Sequence, residues 1–559
     1  MQIRKMYEQM NANLKGEINM ETLYFNGDVI TMEGEQDFAE AVLVADGVIK
    51  VVGSYDAVAA QKAADCQMVD LQGKTLMPSF IDGHGHISMA GVQYTTMANL
   101  EDAKNFADIT RLLKEFIAEK NIPAGQPVVG FAYDHNFLAE GTHPDKKVLD
   151  AASAVHPIAI LHTSGHMGVV GSMILKMANV NEDTPEVEGG VIGRYPDSKE
   201  PTGYLEETAL MSVAMPLMGK VQNNAEDLLV AVQDFYAANG VTTVQDGGTS
   251  GASLAMMRHA GQAGRLKVDI VTYPSPLASM PPEGLDAVMP ANKDIMGVYK
   301  DHVKIGGYKI LLDGSPQGKS AWMSEPYENS GAYCGYPWLK DEEVHACIKR
   351  AIADNQQLLT HCNGDAASQQ LLDIYEEELA ASDNPNKNNL RPVMIHCQTV
   401  RDDQLDRMAA IKMVLSIFVA HTWYWGDIHL KNFGDRRGRR VSPVKSALDR
   451  GLIYNFHTDT PVTRPKMLLS VWAAANRITR NGVEIGPEQR VSVYDALKGI
   501  TINAAYAYFE EDSKGSIKAG KRADLVILDR NPLKVDKMEV RDIQVMETIK
   551  DGVTIYKAE

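Results

Sequence analysis

The chain has no uninterrupted apolar run long enough to span a bilayer and no block of like charge, although its formal net charge over 559 residues is −18. An acidic balance of that kind repels polyanions, which argues against nucleic acid and anionic membrane as natural partners. The first ten residues, Met1 to Met10, carry some positive charge but no apolar core, so they do not read as a secretory signal, and a cytoplasmic location is expected. Cysteine is scarce. Its five copies, Cys66, Cys334, Cys347, Cys362 and Cys397, are odd in number, scattered and never spaced Cys-x-x-Cys, which fits neither a disulfide framework nor a structural Cys-x-x-Cys zinc site. Internal repeats and low-complexity tracts are also missing. What is present is a 45% apolar content, enough to bury the core of one large α/β domain and a smaller one.

From Leu23 to about Val69, short β-type runs alternate with turn signals, among them Asn26-Gly27 and Asp46-Gly47, which supply the positive φ angles of tight hairpins. The same texture returns from Lys518 to Asp529 and from Ile549 to Tyr556. Two β-rich ends predict one composite β-sandwich domain built from residues 1–77 and 512–559. Between them, residues 78–511 carry eight apolar or β-branched runs that end in polar residues. They are Phe80 to His86, Val241 to Asp246, Val268 to Tyr273, Tyr308 to Asp313, Leu358 to His361, Val393 to His396, Val414 to His421 and Leu452 to Asp459. Eight parallel strands alternating with helices predict a (β/α)8 TIM barrel, whose catalytic residues stand at the C-terminal strand ends. The stretch 88–239 is too long for a single crossover and contains strand candidates Val128 to Tyr133 and Ile158 to His162, so it reads as an inserted α/β subdomain.

The first of the eight runs ends in His84-Gly85-His86. Side chains at i and i+2 of a strand share a face, so the two histidines can grip one metal ion. Alone, they are equally two unrelated polar residues at a strand end. Lys309, His361, His396 and Asp459, at the ends of later strands, join them, and each has a plain alternative: a snorkelling lysine, satisfied core histidines, a turn-capping aspartate ahead of Pro461. Taken together, and with Gly240-Val241-Thr242-Thr243-Val244 and Gly520-Lys521-Arg522-Ala523-Asp524-Leu525-Val526, these residues make the chain resemble the amidohydrolase superfamily over most of its length. Lys309 to Ser315, Gly364-Asp365-Ala366-Ala367 and Asp459-Thr460-Pro461-Val462 narrow the resemblance to the branch of N-substituted formamide deformylase-like metal-dependent hydrolases, amidohydrolase family 3. Ser79 and Gly85 depart from its pattern, which commonly has glycine at the first position and a larger residue at the second.

The resemblance implies that His84 and His86 bind a first divalent metal and His361 and His396 a second. Lys309, carboxylated on its Nζ, would bridge the two. The cofactor it implies is two Zn2+ per chain, with Mn2+ or Fe2+ as alternatives. Asp459 would bind the first metal and act as general base, handing its proton to the leaving nitrogen. His457 would support this set from behind. The ring-rich segment His421 to Asp427 is either apolar packing or a pocket wall, with His421 donating to a substrate carbonyl and Trp423 and Trp425 lining the substrate. His166 matches a histidine segment of the branch and is placed at the substrate; Tyr133-Asp134-His135 reads only as a turn. Arg464 or Arg477 could meet a carboxylate, but helix-surface charge is the plainer role for both. The implied reaction is hydrolysis of a C–N bond in an amide, an N-acyl or N-formyl amine, or a cyclic amide. Its partner is a small-molecule substrate, and a homodimer is compatible with it. Two other readings stay open: a mononuclear deaminase of a heterocycle, which would lack the bridging lysine, and a non-catalytic scaffold, which typically loses ligands.

Overall fold

The computed structural model describes residues 21–163, 167–185, 187, 190–214, 224–276 and 284–559. The N-terminal decapeptide and His166 lie outside the described residues. The chain divides into two compact units, one holding residues through Ile87 and from Gln233 onward, the other Ser88–Val232. No helix among the described residues is long and apolar enough to cross a membrane.

In the first unit, both ends of the chain build one eight-stranded sheet. Its order is Val553–Lys557, Val545–Lys550, Leu525–Leu528, Thr75–Pro78, Thr22–Ile30, Phe38–Ala45, Val48–Gly53, with Gln67–Asp70 also on Thr22–Ile30. The two ends meet where Leu525–Leu528 runs antiparallel to Thr75–Pro78. Asp46-Gly47 and Asp551-Gly552, all four at positive φ, close hairpins. Asn26-Gly27 does not. Thr22–Ile30 is one continuous strand whose register slips between Phe25 and Val29. Asn26, at φ 60, forms a bulge there, because the strand pairs first with Gln67–Asp70 and then with Thr75–Pro78.

Among the described residues, the same unit holds nine parallel strand segments. Four lie in the order Val303–Ile305, Asp269–Tyr273, Val241–Gly247, Phe80–Ile81; five follow as Gly307–Leu311, Gln357–Cys362, Val393–His396, Val414–Ile417, Tyr454–Phe456. Every residue of Val241–Gly247 and Asp269–Tyr273 is buried, as parallel strands covered on both faces require. The run expected to begin at Tyr308 is longer and broken at Gly306, where a Cβ would lie 2.5 Å from the Tyr273 ring. Val303–Ile305 pairs back to Asp269–Tyr273, and Gly307–Leu311 pairs forward to Gln357–Cys362. At the other side, Phe456 O accepts from Gly83 N–H at 3.2 Å and His84 O from Asp459 N–H at 3.1 Å, so the first and last strand ends hold each other.

Two buried polar clusters pin this arrangement. Asp269 accepts from Lys514 Nζ at 2.5 Å, Lys550 Nζ at 3.0 Å and His302 Nδ1 at 2.8 Å, tying the terminal sheet to the parallel strands. Arg477 is fully buried at the left-handed end of helix Met467–Asn476, not on a helix surface. Its guanidinium donates to the carbonyls of Ile485, Ser442, Val441 and Arg439 at 2.8–3.1 Å, satisfying backbone groups that water cannot reach.

The second unit carries a six-stranded sheet, ordered Gly190–Arg194, Pro201–Glu206, Met167–Val170, Ile158–His162, Val128–Tyr133, Ala98–Asn99. Helix Phe106–Glu119 packs on it through Ile109 and Leu113. Asn105 starts that helix, its side chain accepting from Asp108 N–H.

Candidate metal centre

His84 and His86 follow the strand Phe80–Ile81 and are aimed by the neighbouring strand Val241–Gly247. His86 Nδ1 donates to Gly247 O at 2.8 Å and His84 Nδ1 to Gln245 Oε1, which leaves each Nε2 with its lone pair. Both Nε2 atoms lie 3.4 Å from Asp459 Oδ1. That spacing suits donors sharing one cation at bond lengths of about 2.0–2.2 Å. With its ring proton on Nδ1, neither histidine donates from Nε2, and Oδ1 is a buried acceptor with no donor. Burial works to raise the Asp459 pKa, but His86, His457 and Lys309 hold it below the usual carboxylate range, so it stays ionised. Asp82 fixes the approach of the last strand by accepting from Thr458 N–H at 3.1 Å and Thr458 Oγ1 at 2.5 Å; burial pushes its own carboxyl up to about 7.

Lys309, 2% exposed, points into the same space with Nζ 3.2 Å from His84 Nε2. Burial brings its pKa down to about 7, so much of it is free amine at neutral pH. His361 and His396 end adjacent strands with ring centroids 4.3 Å apart. His361 Nδ1 and His396 Nε2 are buried without hydrogen-bond partners, although Asp313 Oδ1 stands 3.3 Å from the former. The other His396 nitrogen is engaged: Nδ1 meets His457 Nε2 at 3.3 Å, and His457 Nδ1 meets Ser416 Oγ at 2.9 Å. Burial, above all, keeps both His84 and His396 well below the ordinary imidazole pKa and therefore neutral. Such orphaned buried nitrogens and a donor-less carboxylate fit a metal. Among the described residues the complete three-donor group here is His84, His86 and Asp459.

His421 lies past its strand, opening the helical turn His421–Tyr424. It is buried between Phe418 and Trp425, at 4.5 and 4.4 Å, with Nδ1 at 3.1 Å from His429 Nε2. Phe418 in turn packs on His457. Trp425 therefore packs directly on His421, whereas Trp423 packs edge-on against Trp472 with the Arg541 guanidinium over its ring. The sequence reading assigned no role to Asp82, Gln245, Gly247 or Ser416. The polar end of the run Val241 to Asp246 was the signal for Gln245. At Gly247 a Cβ would come 2.7 Å from His84 Cε1, a constraint invisible before the strands are paired.

The model of the amidohydrolase family matches residues 67–556. The chain is 28% identical over 541 residues to the N-substituted formamide deformylase of Arthrobacter pascens, covering 96% of this chain and 98% of that protein. An uncharacterized metal-dependent hydrolase from Pyrococcus furiosus shares its fold with a TM-score of 0.70 at 24% identity, over 92% of this chain and 100% of that one. Atrazine chlorohydrolase TrzN from Arthrobacter aurescens TC1, solved complexed with zinc, gives a TM-score of 0.53 at 14% identity, over 96% and 95%. The match runs through nearly every strand described above: the chain belongs to the amidohydrolase family and is a hydrolase of carbon–nitrogen bonds other than peptide bonds.

Proposed function

We propose that the chain is a binuclear metal-dependent amidohydrolase that cleaves an amide, an N-acyl or N-formyl amine, or a cyclic amide of small-molecule size. The observation that carries this is the convergence of His84 Nε2, His86 Nε2 and Asp459 Oδ1 with the buried Lys309 amine 3.2 Å from His84. The accompanying fold is a (β/α)8 barrel made of the parallel strands, with the terminal sheet as a β-sandwich. His84, His86 and Asp459 hold the first cation and His361 and His396 the second. The free amine of Lys309 would add to CO2, releasing one proton, and the resulting carbamate would supply oxygen donors to the cations. Zinc suits these nitrogen and oxygen donors, and manganese or iron can replace it.

When bound, the cations supply Lewis acidity toward a carbonyl and a water acidic enough to ionise near neutral pH. Asp459 takes the proton of the attacking water and returns it to the leaving nitrogen. His421, its Nδ1 accepting from His429, donates through Nε2 to the carbonyl oxygen as negative charge grows there. Trp425 and Phe418 fix that ring and keep water from it. The enzyme works in the cytoplasm and is compatible with a homodimer.

The test is a screen of N-formyl, N-acyl and cyclic amides with zinc- or manganese-loaded protein, together with metal analysis and the mass of the peptide containing Lys309. N-formyl amines come first because the Arthrobacter pascens relative is named for them. Two metals, a carboxylated lysine and turnover of one amide class are expected. A single metal, an unmodified Lys309 and deamination of a heterocycle would replace this reading with the mononuclear one. That alternative has its own support, since the one complete three-donor group in this unit, among the described residues, is a one-metal set.

A further inference from the structure

The segment Tyr133-Asp134-His135 is more than a turn. It leaves the strand Val128–Tyr133, whose parallel neighbour Ile158–His162 ends in another histidine, and Tyr133 pairs with His162. The register slips between Gly130 and Tyr133, with Ala132 at φ 66, and this bulge re-aims the strand end. Three donors meet there. His135 Nδ1 lies 3.1 Å from His162 Nε2, and Asp134 Oδ1 lies 3.5 Å from His162 Nε2 and 3.9 Å from His135 Nδ1. Ligands of a tetrahedral cation at about 2.0–2.2 Å stand about 3.3–3.6 Å from one another, a value this triangle brackets.

The surroundings hold these donors in place. Asn136 donates to Asp134 Oδ1 from its backbone N–H at 3.0 Å and its side-chain amide at 2.9 Å. His143 stacks on His135 with centroids 4.0 Å apart, its Nδ1 accepting from the Tyr133 hydroxyl at 3.0 Å. The Tyr204 ring, 4.4 Å from His143, backs that stack. Asp134 and His162 are nearly buried, with side chains 9% and 6% exposed. Without a cation, two imidazole nitrogens at 3.1 Å must share one proton; a cation takes both lone pairs and the carboxylate together. Among the described residues, this is the one such three-donor group besides His84, His86 and Asp459.

We propose that Asp134, His135 and His162 form a further divalent-cation site, of a two-nitrogen, one-oxygen donor set suited to zinc, made of none of the residues assigned to hydrolysis. The cation joins the ends of two parallel strands of the inserted unit. Crystals of the full chain grown with Zn2+ and measured at the zinc edge test this. An anomalous peak about 2.0–2.2 Å from His135 Nδ1, His162 Nε2 and an Asp134 oxygen is expected. No peak there, while His84 and His86 hold zinc, overturns the site. In solution, metal-free full chain is titrated with Co2+ alongside the Asp134→Asn/His162→Gln variant. The variant should bind one ion fewer and lose part of the visible cobalt absorption, and equal content and spectra would also overturn the site. Circular dichroism checks that the variant folds, and if it does not, the anomalous map decides.

Discussion

Asp459 and His396 stand at φ 53 and 78, in the left-handed region that costs a non-glycine residue roughly 1–3 kcal/mol. The surrounding bonds, not local preference, therefore set the direction of both side chains. Asp459→Asn should keep the fold, by circular dichroism, while kcat/KM for an accepted amide falls by ~10²–10⁴-fold, the usual worth of a positioned proton carrier. Gly247→Ala should push the His84 ring aside and weaken metal binding by about 10–100-fold in a competition titration, the range for losing support behind a ligand. Lys309 gives a pH signature. Its buried amine becomes free base as pH rises through about 7, so recovery of decarboxylated enzyme at fixed dissolved CO2 should quicken with rising pH and then level off. A rate flat across that interval would rule out Lys309 as the carboxylated group. The convergence of His84, His86 and Asp459 was legible only from their company with Lys309, His361 and His396 at later strand ends and from the family resemblance, since each alone is an ordinary polar residue at a strand end. A Cβ at Gly85 would meet Thr460 O at an ordinary 3.4 Å, whereas one at Gly247 would press on His84 Cε1 at 2.7 Å, so the confined glycine lies on the neighbouring strand and shows only once the strands are paired.

The parallel strands were readable as elements because burial on both faces leaves continuous apolar runs. Their breaks were not. Gly306 divides Val303–Leu311 because the Tyr273 ring occupies the space beside it, and Asn26 bulges because its strand changes partner, both consequences of distant segments. Arg477 was misread for the same reason: the carbonyls it satisfies belong to residues up to 38 positions away. Asp269 is the clearest energetic case. Burial would raise its pKa, but Lys514, Lys550, His302 and Arg522 hold it well below the usual value. A depressed carboxylate contributes its stability in full above the unfolded pKa of about 4 and loses it only as pH falls below that. Asp269→Ala strands buried cations and should cost about 3–5 kcal/mol in urea unfolding at pH 7, with the gap to the parent narrowing in strong acid.

At the scale of the whole molecule, the donors of the proposed centre come from the first and last of the parallel strands and from three between them, so a cation bound there stabilises the closed arrangement and has little affinity for the open chain. Free metal at a hundred times its Kd adds about 2.7 kcal/mol. Chelation should therefore lower the calorimetric unfolding midpoint and metal return should restore it; an unchanged midpoint would show that the cation does not bridge the strands. The composite terminal sheet and the inserted sheet were visible in outline from turn signals and spacing, but strand order was not: in the terminal sheet it depends on pairings between residues hundreds of positions apart, such as Leu525 with Pro78, and in the inserted sheet on pairings such as Ala98 with Gly130 and Met167 with Glu206.

That separation also has a meaning in time. His86 leaves the ribosome roughly 370 residues ahead of Asp459. At about 5–20 residues per second this is on the order of 20–75 s of synthesis during which a histidine pair exists without its carboxylate. For that interval the nascent chain can offer the first cation of the proposed centre only the two nitrogens of His84 and His86, without the carboxylate that completes its set. Loading is accordingly an event of the finished polypeptide, and the supply of metal at release, more than during elongation, sets how much of each new batch becomes active.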